Sequence, residues 1–312
     1  MRGRPFFVLC FAVTIMSARA AAQPGPPSPQ APLTAGVYVD CRGAPTASPT
    51  VILEAGAFGT SADWDLVLAD LSSGGRVCAY DRGGTGRSPQ RAGGEDPVSI
   101  AHELAAMLDS LGETTPVILV GHSNGALYAE AFASLYPARV AGLVYVNGVG
   151  ADDLDDPRLL RYLADERRLS DMAVTAARIG LSPLIASTLI GAEGLQGPPK
   201  DAKHRALTCV TCLEAARNED RQIVPGLAAV RALGGVPANI PIVVIVGTTE
   251  PKLGSARAWR AAEVAPAARA QRSWILDAVG ATHVSPLARD RAYVSAAVDW
   301  LRSEAARTAQ TP

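Results

Sequence analysis

Three features of the sequence predict an α/β fold, with a mostly parallel, eight-stranded-type sheet flanked by helices and interrupted by a helical insertion. Short apolar runs alternate with segments of helical periodicity along most of the chain. Some of those runs, VILV at 117–120 and IVVIV at 242–246, are apolar on both faces, as strands covered by helices on each side must be. Residues 148–238 break the rhythm with charged, amphipathic helices and carry no strand pattern.

The first residues stand apart from this pattern. Arg2 and Arg4 precede the apolar run FFVLCFAVTIM, and SARAAAQ then supplies small residues in A-x-A spacing. That is the layout of a secretory signal peptide, too short to span a bilayer, with cleavage expected after Ala20 or Ala22. Residues 1–22 are assigned to it, and 23–36, opening with QPGPPSPQAP, to a flexible Pro-rich leader. Cys10 does not fit a lipid-attachment box, because Phe7 stands where such boxes prefer Leu. Export to a periplasm or the medium follows.

The elements then run in order. GVYVDC and TVILEAG read as strands, ADWDLVLADL as a helix, RVCAYD as a strand and VSIAHELAAMLDSLG as a helix. PVILVGH and VAGLVYVN are strands on either side of the helix ALYAEAFASLY. After the insertion come the strand IPIVVIVG, a helix around SARAWRAAEVA and the strand RSWILDAV. A closing helix runs from Pro286 to about Ala306, with proline in its first turn. Residues 37–147 and 239–312 thus form the core, and 148–238, with the breaker GLQGPPK, a helical lid over one edge of the sheet.

Composition narrows the function. The 312 residues carry a net charge of −1 and no basic tract, which argues against nucleic acid or an anionic membrane surface as partner. Nearly half the residues are hydrophobic, and no stretch after the leader reaches transmembrane length, so stable membrane insertion is not expected. Four cysteines follow the cleavage site. In an oxidising compartment they favour the pairs Cys41–Cys78 and Cys209–Cys212. CVTC alternatively reads as a redox motif or half a metal site, but no second CxxC or His pair accompanies it, and no metal is expected.

The chemistry sits where a strand becomes a helix. VGHSNGAL at 120–127 turns the chain within five residues, and G-x-S-x-G at such a corner gives Ser123 a sharp, strained position with its oxygen facing outward. Gly121 and Gly125 are the small residues that let strand and helix approach. The Asn124 amide, at the helix start, points toward negative charge forming beside that oxygen. A serine needs a base to take its proton. Of four histidines, His102 lies within a helix, His122 at the strand end with its side chain directed away from Ser123, and His204 among lid cations. His283 follows a strand at the same edge of the sheet and is the base. IPIVVIVG delivers Glu250 to that edge as the acid that orients the imidazole, with Asp152 or Asp153 as rivals.

These motifs resemble the α/β-hydrolase fold family over nearly the whole mature chain. GHSNG resembles its nucleophile turn, VILEAG-AFGTSADW its oxyanion loop, YDRGGTGRS its D-x-R-G-x-G-x-S turn and THVSPLARDRAYVSAAVDWL its terminal histidine and helix. The resemblance implies the Ala57 amide as the second oxyanion donor beside Asn124, and Asp81 and Arg82 as residues that tie down the flanking loop. Three departures stand out. Glu54-Ala55-Gly56 replaces the frequent His-Gly, Ala126 stands where glycine is frequent, and Glu250 replaces the commoner Asp. The expected activity is cofactor-free, metal-free hydrolysis of a small-molecule or lipid-like carboxylic ester through Ser123, His283 and Glu250. Peptidases and perhydrolases share the triad, and a non-catalytic binding protein of the same fold is the alternative from another class.

Overall fold

The computed structural model describes residues 33–186, 195–249 and 256–309. The expected signal peptide and Glu250 lie outside the described residues. Eight strands form one sheet: β1 (Leu33–Thr34), β2 (Val37–Arg42), β3 (Val51–Glu54), β4 (Val77–Asp81), β5 (Val117–His122), β6 (Val140–Val146), β7 (Ile242–Gly247) and β8 (Ser273–Ala278). Their order is β1-β2-β4-β3-β5-β6-β7-β8, antiparallel at β1/β2 and β2/β4 and parallel from β4 to β8. The chain steps from β3 outward to β4 and then back across to β5. The crevice between the carboxyl ends of β3 and β5 is therefore a topological switch point, where α/β sheets hold their ligands.

The leader does not extend to residue 36 as expected. Leu33 and Thr34 pair with Tyr38 and Val37 across a turn in which Ala35 (φ 50) and Gly36 (φ 86) are both left-handed, the requirement of a tight two-residue hairpin.

Alternation along the strands builds two cores. Ile52, Leu119, Leu143 and Tyr145 face α2 (Pro97–Ser110), α3 (Asn124–Leu135) and α8 (Ile223–Ala232), whereas Val51, Leu53, Ile118 and Val120 face α1 (Asp65–Leu71) and α10 (Ala292–Ala309). β8 has a strand on one side only, and its residues alternate between exposed and half-buried. Asp96 caps α2 by accepting from the Val98 and Ser99 amides, with Pro97 in the first turn.

Between β6 and β7 lie α4 (Pro157–Arg178), α5 (Ser182–Ala186), α6 (Gly197–Thr208), α7 (Val210–Arg221) and α8, and between β7 and β8 lies α9 (Ala256–Arg269). The expected lid is thus helical, but its last helix belongs to the body. Ile223, Leu227 and Val230 of α8 join the core with Leu104 and Leu127, because this stretch is apolar enough to bury one face completely. The closing helix also begins later than Pro286. Residues Ser285–Leu287 form a single 3₁₀ turn held by Asp290, whose backbone amide donates to the Ser285 carbonyl and whose carboxylate accepts from the Ser285 hydroxyl.

Both favoured cysteine pairs are bonded. Cys41 and Cys78 face each other across β2 and β4, and Cys209 and Cys212 join at the start of α7. The first closes a separation of 37 residues and the second only 3. Loop-closure entropy then predicts that replacing Cys41 and Cys78 with alanine lowers unfolding free energy by about 2–4 kcal/mol, and replacing Cys209 and Cys212 by roughly half as much. Equal losses in urea titrations of the two double variants would contradict this ranking.

Candidate active site at the β3–β5 crevice

Ser123 occupies a conformation almost closed to residues with a side chain, φ 52 and ψ −125, between the end of β5 and the start of α3. Backbone bonds impose it: the Ser123 amide donates to the Val146 carbonyl, and the Ser123 carbonyl accepts from the Ala126 and Val149 amides. The corner is tight enough that a Cβ on Gly121 would lie 2.5 Å from the Ala126 Cα, and one on Gly125 would lie 2.5 Å from the Glu54 carbonyl oxygen. Because the peptide is planar and trans, a Ser123 carbonyl turned toward Ala126 and Val149 turns the Asn124 N–H the opposite way. As a first-turn amide, that N–H has no acceptor within its own helix.

The loop after β3 is organised the same way by Arg82, which is fully buried. Its guanidinium donates to the Ala55 carbonyl at 2.6 Å and the Gly56 carbonyl at 3.1 Å, and pairs with Glu54 at 2.7 Å and Glu219 at 2.8 Å. The Gly56 carbonyl also accepts from the Gly59 amide. With that carbonyl aimed at Arg82, the Ala57 N–H points away from it. Asp81 accepts from the Ser61 and Arg87 amides, and Lys203 of α6 reaches the Phe58 carbonyl and Asp63, each at 2.8 Å. Glu54 is thus one of the groups that hold Arg82.

Ser123, Asn124, Ala57 and His283 line one pocket. His283 lies beside His122, their ring centroids 4.8 Å apart, and the His122 ring bonds the His283 carbonyl through Nε2 at 2.9 Å. Burial, reinforced by His122, pushes the His283 pKa down to about 3, and burial pushes His122 down to about 4. Both rings are therefore neutral at physiological pH. No carboxylate among the described residues hydrogen-bonds the His283 ring.

Of the rival acids, Asp152 pairs with Arg269 at 3.1 Å. Asp153 lines the pocket, with Oδ2 accepting from the Gly150 amide at 2.8 Å. The chain reaches position 250 from an anchored strand end: Thr248 and Thr249 donate backbone amides to the Ala278 and Ala281 carbonyls, and the Thr249 hydroxyl also donates to Ala281, two residues before His283.

Three contributors escaped the sequence reading. Asn147 ends β6 at φ 44, donates through Nδ2 to the His283 carbonyl at 3.1 Å and accepts from the Gly247 amide at 2.6 Å, so it binds the ends of β6 and β7 to the histidine loop. An asparagine closing an apolar strand tolerates the left-handed conformation, which was its only visible signal. Glu219 and Asp220, at the end of α7, reach Arg82 and the Asn124 side chain. Nothing in their charged, amphipathic helix distinguished them from solvated residues.

Among the described residues, no helix is long and apolar enough to cross a membrane, and no cluster of His, Cys, Asp and Glu is placed to hold a metal ion.

A family model described as the alpha/beta hydrolase fold matches residues 49–177. The chain is 33% identical over 153 residues to the "Putative carbamate hydrolase RutD" of Caulobacter sp. (strain K31), covering 48% of this chain and 55% of that protein. It spans about half the length of the curated relatives it matches, or less. Among solved structures, a thermophilic esterase from Thermogutta terrifontis superposes with a TM-score of 0.64 at 21% identity, covering 86% of this chain and 93% of that one. The epoxide hydrolase CorEH superposes with a TM-score of 0.63 at 17% identity, covering 84% and 93%. At these identities the structural likeness establishes the fold.

Proposed function

On the fold and on the alpha/beta hydrolase model that matches residues 49–177, we propose that the chain is an exported serine hydrolase of the α/β-hydrolase fold that cleaves carboxylic esters through an acyl-enzyme. The observation that carries this reading is the strained backbone of Ser123 in a pocket shared with His283 and with two amides turned away from their tethered carbonyls. Backbone strain of that kind persists where the surrounding structure enforces it, and it clusters at reacting groups.

Ser123 Oγ attacks the ester carbonyl carbon while His283 takes its proton. The carbonyl oxygen becomes an oxyanion, which the Asn124 and Ala57 amides receive, each donor worth about 3 kcal/mol. Collapse expels the alcohol, protonated by the imidazolium. Water, deprotonated by the same ring, then attacks the acyl carbon, and the acid leaves as Ser123 recovers its proton. Glu250 is assigned to hold the His283 tautomer and stabilise the imidazolium, since two anchored threonines lead the chain to it. A serine at the turn favours this route over epoxide opening, for which hydrolases of this fold place an aspartate there. Export is supported by the two disulfides and by the N-terminal sequence pattern.

A fluorophosphonate probe tests the reading. Adduct mass mapped to Ser123 is the expected outcome, and an unlabelled protein would support a non-catalytic binder instead. A panel of p-nitrophenyl esters of graded chain length then measures acyl preference.

The pH profile is a separate test. The base must be neutral, and a buried histidine resists protonation, so the acid limb of kcat/KM falls below pH 6, lower than an ordinary histidine near 6.5 would place it. Glu250→Gln should lose roughly 10³–10⁴-fold in kcat and move that limb further down, because a neighbouring carboxylate favours the imidazolium. An unmoved limb with near-normal kcat would remove Glu250 from the triad.

A further inference from the structure

Resting on that hydrolase reading, we propose that the catalytic pocket selects substrates carrying a positive charge, with the Asp153 carboxylate as the group that receives it.

Asp153 sits in the 3₁₀ turn after β6, only 4% exposed, and lines the same pocket as Ser123. Its Oδ2 accepts from the Gly150 amide, whereas Oδ1 has no hydrogen-bond partner among the described residues. Three acids buried as deeply hold a cation, Glu54 with Arg82, Glu130 with Arg269 and Asp63 with Lys203, and a fourth, Asp81, takes a backbone amide on each oxygen. Among the described residues, no lysine or arginine pairs with Asp153. An uncompensated buried carboxylate is costly, so it is either held neutral or waits for a counter-charge from outside the chain. Burial pushes Asp153 up to about 7, and the nearby charges of Glu130, Asp152 and Asp156 add to the rise.

The rest of the lining points the same way. Asp220 and Glu166 also border the pocket, and among the described residues no lysine or arginine does. Leu159 and Leu163 add apolar wall to the same pocket. An ester whose chain ends in an ammonium group satisfies both: the methylenes lie on the leucines, and the ammonium donates to Oδ1 in a charge-assisted bond. A substrate bearing a free carboxylate or phosphate meets like charge and is rejected.

The test compares 5-aminopentyl acetate with hexyl acetate, which replaces the ammonium by a methyl group, through kcat/KM, and the corresponding alcohols by calorimetric titration of the same full-length protein. About tenfold or greater preference for the ammonium member is expected in both measurements, the size of one charge-assisted hydrogen bond. Asp153→Asn should bring both ratios to within about twofold, with Asp153→Ser as a second variant should the first not fold. Equal or inverted ratios in the unmodified protein overturn the inference, even if Ser123-dependent cleavage of both esters upholds the hydrolase reading. Charge-selective binding without cleavage of either acetate does the reverse: it upholds selection and overturns the esterase reading.

Discussion

Ser123→Ala is expected to lose about 10⁴-fold or more in kcat on any ester the protein cleaves, while folding normally. The substitution removes one oxygen and leaves in place the backbone bonds to Val146, Ala126 and Val149 that fix the corner. Stability should therefore barely move. Ser123→Gly is the informative companion. Glycine adopts φ 52 without a side-chain penalty, so this variant should be equally inactive yet more stable than the parent by about 1 kcal/mol, a share of the strain the serine bears. Thermal melts and initial rates on the two variants check both halves. A purified Ser123→Ala protein that keeps its ester rate would take the serine out of the chemistry.

The second large effect is expected at Arg82, which makes no contact with a reacting atom. Arg82→Met takes the nearest cation from buried Glu54 and Glu219, leaving Glu54 with the Tyr80 hydroxyl and Glu219 with Arg91 at 3.4 Å, and removing one partner of a buried ion pair costs about 3–5 kcal/mol. It also removes the guanidinium from the Ala55 and Gly56 carbonyls and leaves the latter to the Gly59 amide alone, so the Ala57 amide is held less firmly, and kcat should fall by up to roughly 10²-fold, the size of one lost oxyanion donor.

The stability loss carries a pH signature. Even with Arg82 present, burial raises the Glu54 carboxyl to about 7. A carboxyl whose folded pKa exceeds its unfolded value binds more protons when native, so its contribution to stability falls as pH rises from about 4.5 through 7. Without the guanidinium the folded pKa lies higher still, and the loss continues to higher pH. Arg82→Met should therefore be less destabilised at pH 5 than at pH 8, relative to the parent, and Glu54→Gln added to it should restore part of the loss at pH 8. Urea titrations at the two pH values decide it, and a pH-independent loss would show that the carboxylates are not its source.

Much of the fold was legible because its signals are local. Strands such as VILV and IVVIV are apolar on both faces, and no solvated element tolerates that pattern. The boundaries that moved did so for tertiary reasons. Pro286 looked like the start of the closing helix, but the Ser285–Asp290 bonds make a separate turn and delay the helix to Ala292. α8 looked like lid because it follows charged helices, yet its apolar face packs against α2 and α3. The leader ended early because Ala35-Gly36 closes a hairpin that the Pro-rich stretch before it obscured.

The site divides along the same line. By itself the sequence determined that Ser123 stands at a strand-to-helix corner, with His283 and Glu250 after later strand ends, since a five-residue turn between two apolar segments has few solutions. Only the tertiary structure decided that Arg82 tethers the carbonyls of the loop after β3, that Asn147 ties the histidine loop to the sheet, and that Asp153 is buried in the pocket that Ser123 lines, with no lysine or arginine among the described residues paired to it. The first two of those facts depend on which groups meet across 26 to 136 positions of chain. Charge pairing at such separations leaves no periodic trace in the sequence: a buried ion pair and a solvated one are written with the same residues, and only packing excludes the water that distinguishes them.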